Sequence, residues 1–271
     1  MITPVKATMM STARIRVLQI TDPHLFADAS ATLMGINTSA TLDAVLAKVH
    51  SDFQAIECLL VTGDLTQDDS EASYRHLTEK LSTLKAPGYW LCGNHDQPGL
   101  MTAVNPSAMK KQVLLGKWQI LLLNTRVDGE VFGYLSDSEL ALLDSYLAQE
   151  PDKHCLLALH HHPAPINSQW MDSSMLKNPD DLALTLSQHS NVRGIIHGHV
   201  HQARDYEFCG LPVMATPSTC VQFAPESDEF LADTRQPGFR VLDLMPDGQI
   251  ESQVIRISDE SMKINLESKG Y

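Results

Sequence analysis

The chain lacks any apolar run long enough to cross a bilayer, and residues 1–13 lack the apolar stretch of a secretory leader. No membrane span is expected, and a cytoplasmic location is. Positive charge is also scarce. Lys and Arg number 20 against 33 Asp and Glu, a formal charge of −13. That balance opposes a nucleic acid polymer as partner, because a polynucleotide needs a basic face to neutralise many phosphates. It does not exclude a small anion, since bound metal ions bring their own local positive charge. Cysteine is sparse: Cys58, Cys92, Cys155, Cys209 and Cys220 form an odd set without CxxC spacing. They argue against a disulfide framework and a zinc-thiolate cluster, and they read as thiols in a reducing compartment. There is no internal repeat, no low-complexity tract and no convincing linker. A hydrophobic share of 43% is ordinary for a globular chain, and one domain is the simplest reading.

What is present is a recurring local pattern. Cys58-Leu59-Leu60-Val61-Thr62 is a short apolar run without alternation, closed by Gly63-Asp64. Such a run predicts a buried parallel strand that delivers a carboxylate to its C-terminal edge, where open α/β sheets bind ligands. Ile15–Ile20 ends likewise in Thr21-Asp22-Pro23-His24, and Tyr89–Cys92 in Gly93-Asn94-His95-Asp96. Leu156–Leu159 ends in His160-His161-His162-Pro163, and Val192–Ile196 in His197-Gly198-His199-Val200-His201. Five strands that each bring Asp, Asn or His to a loop point to a metal centre at one sheet edge, with Asp64 at its middle. Asp-x-His or Gly-Asp alone is common in turns and caps. A His-Gly-His-x-His string after a strand has few structural uses, because neutral imidazoles are the commonest metal ligands.

The remaining pattern frames these motifs. Residues 1–13 predict a flexible segment, 14–257 a single domain with a rim loop at 216–238, and 258–271 a C-terminal tail. Residues 25–37 and 97–117 read as irregular. Thr38 or Ser39 is expected to cap a helix with Leu42, Val45, Leu46 and Val49 on one face. A second helix runs from the acidic Asp68-Asp69 loop to about Lys85. Ser136 and Glu139 form a capping-box signature for a third, through about Gln149. Asn178-Pro179 opens a fourth, to about Ser190. Trp118–Leu123 and Leu211–Ala215 are further strands, and Phe239–Leu244 and Gln249–Ile257 a closing hairpin.

The ordered set Asp22-x-His24, Gly63-Asp64, Gly93-Asn94-His95-Asp96, His161-x-Pro163 and Gly198-His199-x-His201 resembles the calcineurin-like metallophosphoesterases. The resemblance runs from about residue 15 to 257. Longer strings, including Leu18–Leu25, His160–Pro163 and Ala215–Phe223, are similar to class III cyclic nucleotide phosphodiesterases. It implies an α/β fold, a four-layer αββα sandwich of two mixed sheets flanked by helices. It also implies two divalent ions, Fe or Mn before Zn. Asp22, His24 and His201 would hold one, Asn94, His161 and His199 the other, and Asp64 would bridge them. His161 is chosen because the family's ligand stands two residues before Pro163; His160 and His162 would then face away. In many relatives an Asp three residues after the bridging Asp orients the histidine that corresponds to His95. Here that position is Gln67, so Gln67, Asp68 and Asp96 are all candidates for the task.

The activity implied is hydrolysis of the small cyclic nucleotide 3′,5′-cyclic AMP to 5′-AMP by a hydroxide bridging the ions. His95 would be the catalytic general acid. Asn94 and His95 would also bind the substrate's phosphoryl oxygens, beside Asp64, with His24 and His201 at the open edge. Acidification would put protons in competition with metal at His24, His161, His199 and His201. Phe223 and Gln222 are candidates to stack on and bond the base, against the plainer alternative that their loop packs on the rim. A glycerophosphodiester or 2′,3′-cyclic nucleotide is the alternative substrate, and a nucleotide-binding metalloprotein without turnover the alternative class. The sequence leaves oligomeric state open.

Overall fold

The computed structural model describes residues 14–259, 262–268 and 270. The expected flexible segment 1–13 lies outside them, as do residues 260, 261, 269 and 271 of the tail. The chain begins with β1 (Ile15–Ile20), α1 (Thr38–Asp52), β2 (Cys58–Thr62), α2 (Glu71–Leu81), β3 (Gly88–Leu91) and α3 (Pro98–Val104). The middle comprises β4 (Gln112–Leu115), β5 (Trp118–Leu122), α4 (Asp137–Gln149), β6 (His154–Ala158), α5 (Gln169–Asp172) and α6 (Pro179–Ser187). It closes with β7 (Val192–His197), β8 (Arg204–Phe208), β9 (Leu211–Ala215), β10 (Gly238–Leu244) and β11 (Ile250–Arg256).

Two mixed sheets result, ordered β11-β10-β1-β2-β3 and β8-β9-β7-β6-β5-β4. β1, β2 and β3 run parallel, as do β5, β6, β7 and β9. Their C-terminal ends therefore gather the ligand-bearing loops. Strand alternation sorts the side chains into layers. In β2, Leu59 and Val61 face α1 and α2, while Cys58 and Leu60 face the second sheet. There they meet Trp118, Ile120, Leu156 and Ile196. The outer face of the second sheet packs Leu121, Leu157 and Ile195 against Leu143 and Leu147 of α4 and Leu182 and Leu186 of α6. Helices thus cover both outer faces, the αββα arrangement. Each Leu buried in these layers contributes about 1.5–3 kcal/mol.

A polar strut ties the sheets together just below the site. Gln19 Nε2 donates to Thr62 Oγ1 at 2.9 Å and to the His197 carbonyl at 3.2 Å, and Thr216 Oγ1 donates to Gln19 Oε1 at 2.6 Å. β1, β2 and β7 are thereby held in one register under the loops they feed.

Several local expectations change. The cap of α1 is Asn37, whose side chain accepts from Ala40 N, rather than Thr38 or Ser39. Ser70 caps α2, which ends at Leu81 rather than near Lys85. Ser136 caps α4 as expected, but Glu139 does not reach back to it. Its carboxylate instead accepts from Asn124 N and Lys111 Nζ. Residues 97–117 contain α3 and β4, and the 216–238 loop contains a small ladder pairing Gln222–Phe223 with Ala232–Asp233. A further ladder, Thr32–Leu33 with Ile36–Asn37, occupies the stretch read as irregular.

Candidate metal centre

Asp22, His24, Asp64, His160, His161, His199 and His201 all converge at this edge and are buried. Asn94 and His95 join them, half-buried. The loops turn sharply to achieve this. Asp22, His24, Asp64, His199 and His201 all adopt positive φ, between 44° and 67°. A non-glycine residue there costs about 1–2 kcal/mol, so the loops hold strain at the residues that carry the chemistry. Gly93 makes the crowding feasible. A Cβ at that position would lie 2.1 Å from Asp64 Oδ1 and 2.5 Å from Asp64 N.

The hydrogen bonds fix the imidazole tautomers. His24 Nδ1 bonds Gln67 Oε1 at 2.6 Å and His201 Nδ1 bonds the Val221 carbonyl at 2.8 Å. Both partners only accept, so each Nδ1 carries the proton and each Nε2 presents a lone pair. Those two Nε2 atoms face one another at 3.2 Å. Asp22 Oδ1 lies 3.5 Å from His201 Nε2, and Asp64 Oδ2 3.8 Å from His24 Nε2. Four buried electron-pair donors pointing at one spot fit a cation between them.

A second set meets on the other side of Asp64. His160 Nδ1 donates to the Thr62 carbonyl at 2.8 Å, and its Nε2 lies 3.3 Å from Asp64 Oδ2 and 3.2 Å from Asn94 Oδ1. Ser174 Oγ donates its proton to Met171 O and accepts from His199 Nε2 at 2.8 Å, which leaves the His199 Nδ1 lone pair unshared by that bond. His160, His161 and His199 each offer a nitrogen within 4.8 Å of the others. His161, however, donates from Nε2 to the Val131 carbonyl at 3.0 Å and accepts at Nδ1 from Thr125 Oγ1 at 2.7 Å. Both of its nitrogens are engaged. His160 faces Asp64 and Asn94, and His161, the expected ligand, stands behind with its two nitrogens on Val131 and Thr125.

The three residues proposed to orient His95 bond elsewhere. Gln67 holds His24, and Asp68 accepts from Ala27 N and Ser70 N. Asp96 accepts from Leu65 N, Gly93 N and Tyr74 Oη at 3.0, 2.9 and 3.1 Å, pinning the loops after β2 and β3 together. His95 N donates to Asp64 Oδ1 at 2.9 Å, and its ring meets that of His24 edge-on, centroids 5.1 Å apart. Gln222 turns inward to Ser218 O and Val221 O. Phe223 stacks on His201 at 4.2 Å. Sequence reasoning missed Thr125 and Ser174, which fix two imidazoles; single hydroxyls far apart in the chain carry no local signal.

Electrostatics agree with a cation site. Burial pushes His24 down to about 3 and His161 and His199 well below the ordinary imidazole value, so all three are neutral. His160 differs: burial lowers it, but the adjoining Asp64 carboxylate reverses that and raises it to about 9. Burial raises the Asp64 carboxyl, and His160 and its neighbours more than compensate, holding it well below the usual range. In the absence of metal, the His160 proton is thus the charge that offsets Asp64.

The chain belongs to the calcineurin-like phosphoesterase family, whose sequence profile matches residues 15–203. Within that family it is similar to particular enzymes. It is 42% identical over 261 residues to the 3′,5′-cyclic adenosine monophosphate phosphodiesterase CpdA of Haemophilus influenzae, covering 95% of each chain. It is 41% identical over 263 residues to CpdA of Escherichia coli, covering 96% of each. In fold it resembles a dimetal phosphatase from Danio rerio, with a TM-score of 0.60 at 14% identity over 91% of this chain and 100% of that one.

Proposed function

We propose that the protein is a dinuclear metal-dependent phosphodiesterase that hydrolyses 3′,5′-cyclic AMP to 5′-AMP. The observation that carries this reading is the pair of imidazole lone pairs, His24 and His201, facing each other at 3.2 Å beside two carboxylates. The relatives' names supply the substrate. Asp22, His24 and His201 would hold one ion, Asn94, His160 and His199 the other, and Asp64 both. This nitrogen and oxygen donor set suits Fe, Mn or Zn. When bound, such a pair acts as a Lewis acid on the phosphoryl oxygens and lowers the pKa of coordinated water. The chain's own residues do the rest. Asp64 would offset the positive charge of both ions, and it aligns the His95 backbone through its 2.9 Å hydrogen bond. Asn94 and His95 steady the non-bridging phosphoryl oxygens, with His24 and His201 at the open edge. His95 gives a proton to the departing ribose 3′-oxygen.

The reading treats residues 14–257 as one catalytic domain. Among the described residues no helix is long and apolar enough to cross a membrane. The five free thiols support a reducing, cytoplasmic setting. Turnover of a panel of cyclic nucleotides and glycerophosphodiesters with added Mn or Fe tests the substrate. Preference for 3′,5′-cyclic AMP supports the reading, and preference for a glycerophosphodiester overturns it.

The histidine register has its own test. His160→Gln should leave about one firmly held ion per chain and cut activity on the order of a hundredfold or more. His161→Gln should keep both ions and cost less than about tenfold. The reverse ranking by elemental analysis would restore His161 as ligand.

Metal uptake should also depend on pH. A ligand must lose its proton to coordinate, and in metal-free protein His160 keeps its proton up to about pH 9. Below that value proton and metal compete, so apparent affinity at this site rises with pH, roughly tenfold per unit between 6 and 8. Of the four histidines expected to be acid-sensitive, His24, His161, His199 and His201, burial already keeps the first three neutral, so their share of the sensitivity moves to His160. Metal titrations at several pH values should show this slope, and His160→Gln should flatten it. A flat profile in the unsubstituted chain would contradict the assignment.

A further inference from the structure

The cleft that opens from Asp64, Asn94, His95 and His199 holds about 750 Å³, room for far more than a phosphoryl group. Two of its lining residues share an unusual property. Among the described residues, Arg126 Nε and Trp170 Nε1 are buried side-chain donors without a hydrogen-bond partner. An unpaired buried N–H is costly to a fold and is rare without a reason. Both atoms are donors only, so whatever satisfies them must accept.

The two differ in their surroundings. Arg126 follows Thr125, which bonds His161, whose ring lies 4.7 Å from that of His199. Its side chain is 10% exposed, and its Nη1 pairs with Asp128, itself 95% exposed. Trp170 stands at the end of a row of rings. Phe223 stacks on His201, and Trp170 meets Phe223 edge-on at 5.1 Å and Phe230 at 5.3 Å. The two loops are laced together: Gly133 N donates to Met175 O at 3.3 Å and Lys177 N to Gly133 O at 2.8 Å. The row of rings beside Trp170 suits a purine, and the guanidinium donor of Arg126, in the same cleft, is left for the sugar that joins base to phosphate.

We propose that Arg126 and Trp170 recognise the nucleoside half of the substrate, a step that rests on the phosphodiesterase reading above. Arg126 Nε–H donates to a ribose oxygen. Trp170 Nε1–H donates to an acceptor nitrogen of the purine, beside the aromatic row. The residues determine specificity and take no part in bond making or breaking.

The test compares cyclic AMP with bis(p-nitrophenyl) phosphate, which has the diester but no nucleoside, using the metal-loaded protein. Trp170→Phe keeps a ring and removes the N–H; it should lower kcat/KM for cyclic AMP about five- to tenfold, through KM. Arg126→Gln should lower it about ten- to hundredfold. Both variants should keep two ions and turn over the aryl diester within about twofold of the parent. Equal losses on the two substrates, or no loss on cyclic AMP, overturn the proposal. A second measurement needs no variant. One of the 1-, 3- or 7-deaza analogues should lose what Trp170→Phe loses, and Trp170→Phe should no longer discriminate against it. Likewise 2′-deoxy cyclic AMP should be a poorer substrate for the parent but not for Arg126→Gln. If the parent treats every analogue like cyclic AMP, the proposal fails while the phosphodiesterase reading stands. If the parent hydrolyses the aryl diester but no cyclic nucleotide, it is the phosphodiesterase reading that fails.

Discussion

Asp64→Ala protein is expected to hold less than one metal ion per chain and to lose at least about ten-thousandfold in kcat on cyclic AMP. Asp64 is the residue both ligand sets share: Oδ2 lies 3.3 Å from His160 Nε2 and 3.8 Å from His24 Nε2. Each ion contributes several kcal/mol of charge stabilisation in the transition state, and about 5.5 kcal/mol already amounts to ten-thousandfold. Asn94→Ala removes a ligand from one set only, so it should weaken one ion and spare the other. The two variants thus separate a shared ligand from a private one. Elemental analysis of both, with circular dichroism to confirm folding, decides the point. A fully loaded or fully active Asp64→Ala protein would sink the two-ion assignment.

His95→Ala should separate chemistry from metal binding. In the account above, His95 is no ligand, so the variant should keep both ions and much of its affinity for substrate. Its kcat on cyclic AMP should still fall by roughly a hundredfold to ten-thousandfold, the usual worth of a general acid. The loss should depend on the leaving group. A p-nitrophenolate leaves without much help, whereas a ribose 3′-oxygen needs a proton. Hydrolysis of bis(p-nitrophenyl) phosphate should therefore suffer less than that of cyclic AMP. Equal losses would assign His95 to holding phosphoryl oxygens, and loss of metal would make it a structural residue.

The parallel strands were legible because each is a short apolar run closed by turn residues, and strand ends are where α/β sheets place ligands. β1 and β9 fall where the pattern puts them. The edges were harder. β8, Arg-Asp-Tyr-Glu-Phe, is a half-buried edge strand joined to β9 by Cys209-Gly210, both at positive φ. Such a turn is usually signalled by Asn-Gly or Asp-Gly, and a cysteine in the first position hid it. α3 and α5 span only seven and four residues, too short for helical periodicity to show.

At the site, ligand types and loops could be read, but a run of three histidines could not be phased. The resemblance chose His161; the hydroxyl of Thr125 and the carbonyl of Val131, distant in sequence, occupy both its nitrogens and favour the proposed change to His160. The departure at Gln67 has a similar resolution. An amide oxygen there fixes the His24 tautomer at 2.6 Å, whereas the resemblance left Gln67, Asp68 and Asp96 all open as partners of His95.

The most direct test of the account follows cyclic AMP hydrolysis in ¹⁸O-enriched water by ³¹P NMR, with purified protein carrying Mn or Fe. Attack by water on phosphorus, with the ribose 3′-oxygen leaving, must give 5′-AMP bearing one ¹⁸O on phosphorus. Turnover must stop on chelation and return with added metal. Release of 3′-AMP, an unlabelled phosphate or activity indifferent to chelator would contradict the account.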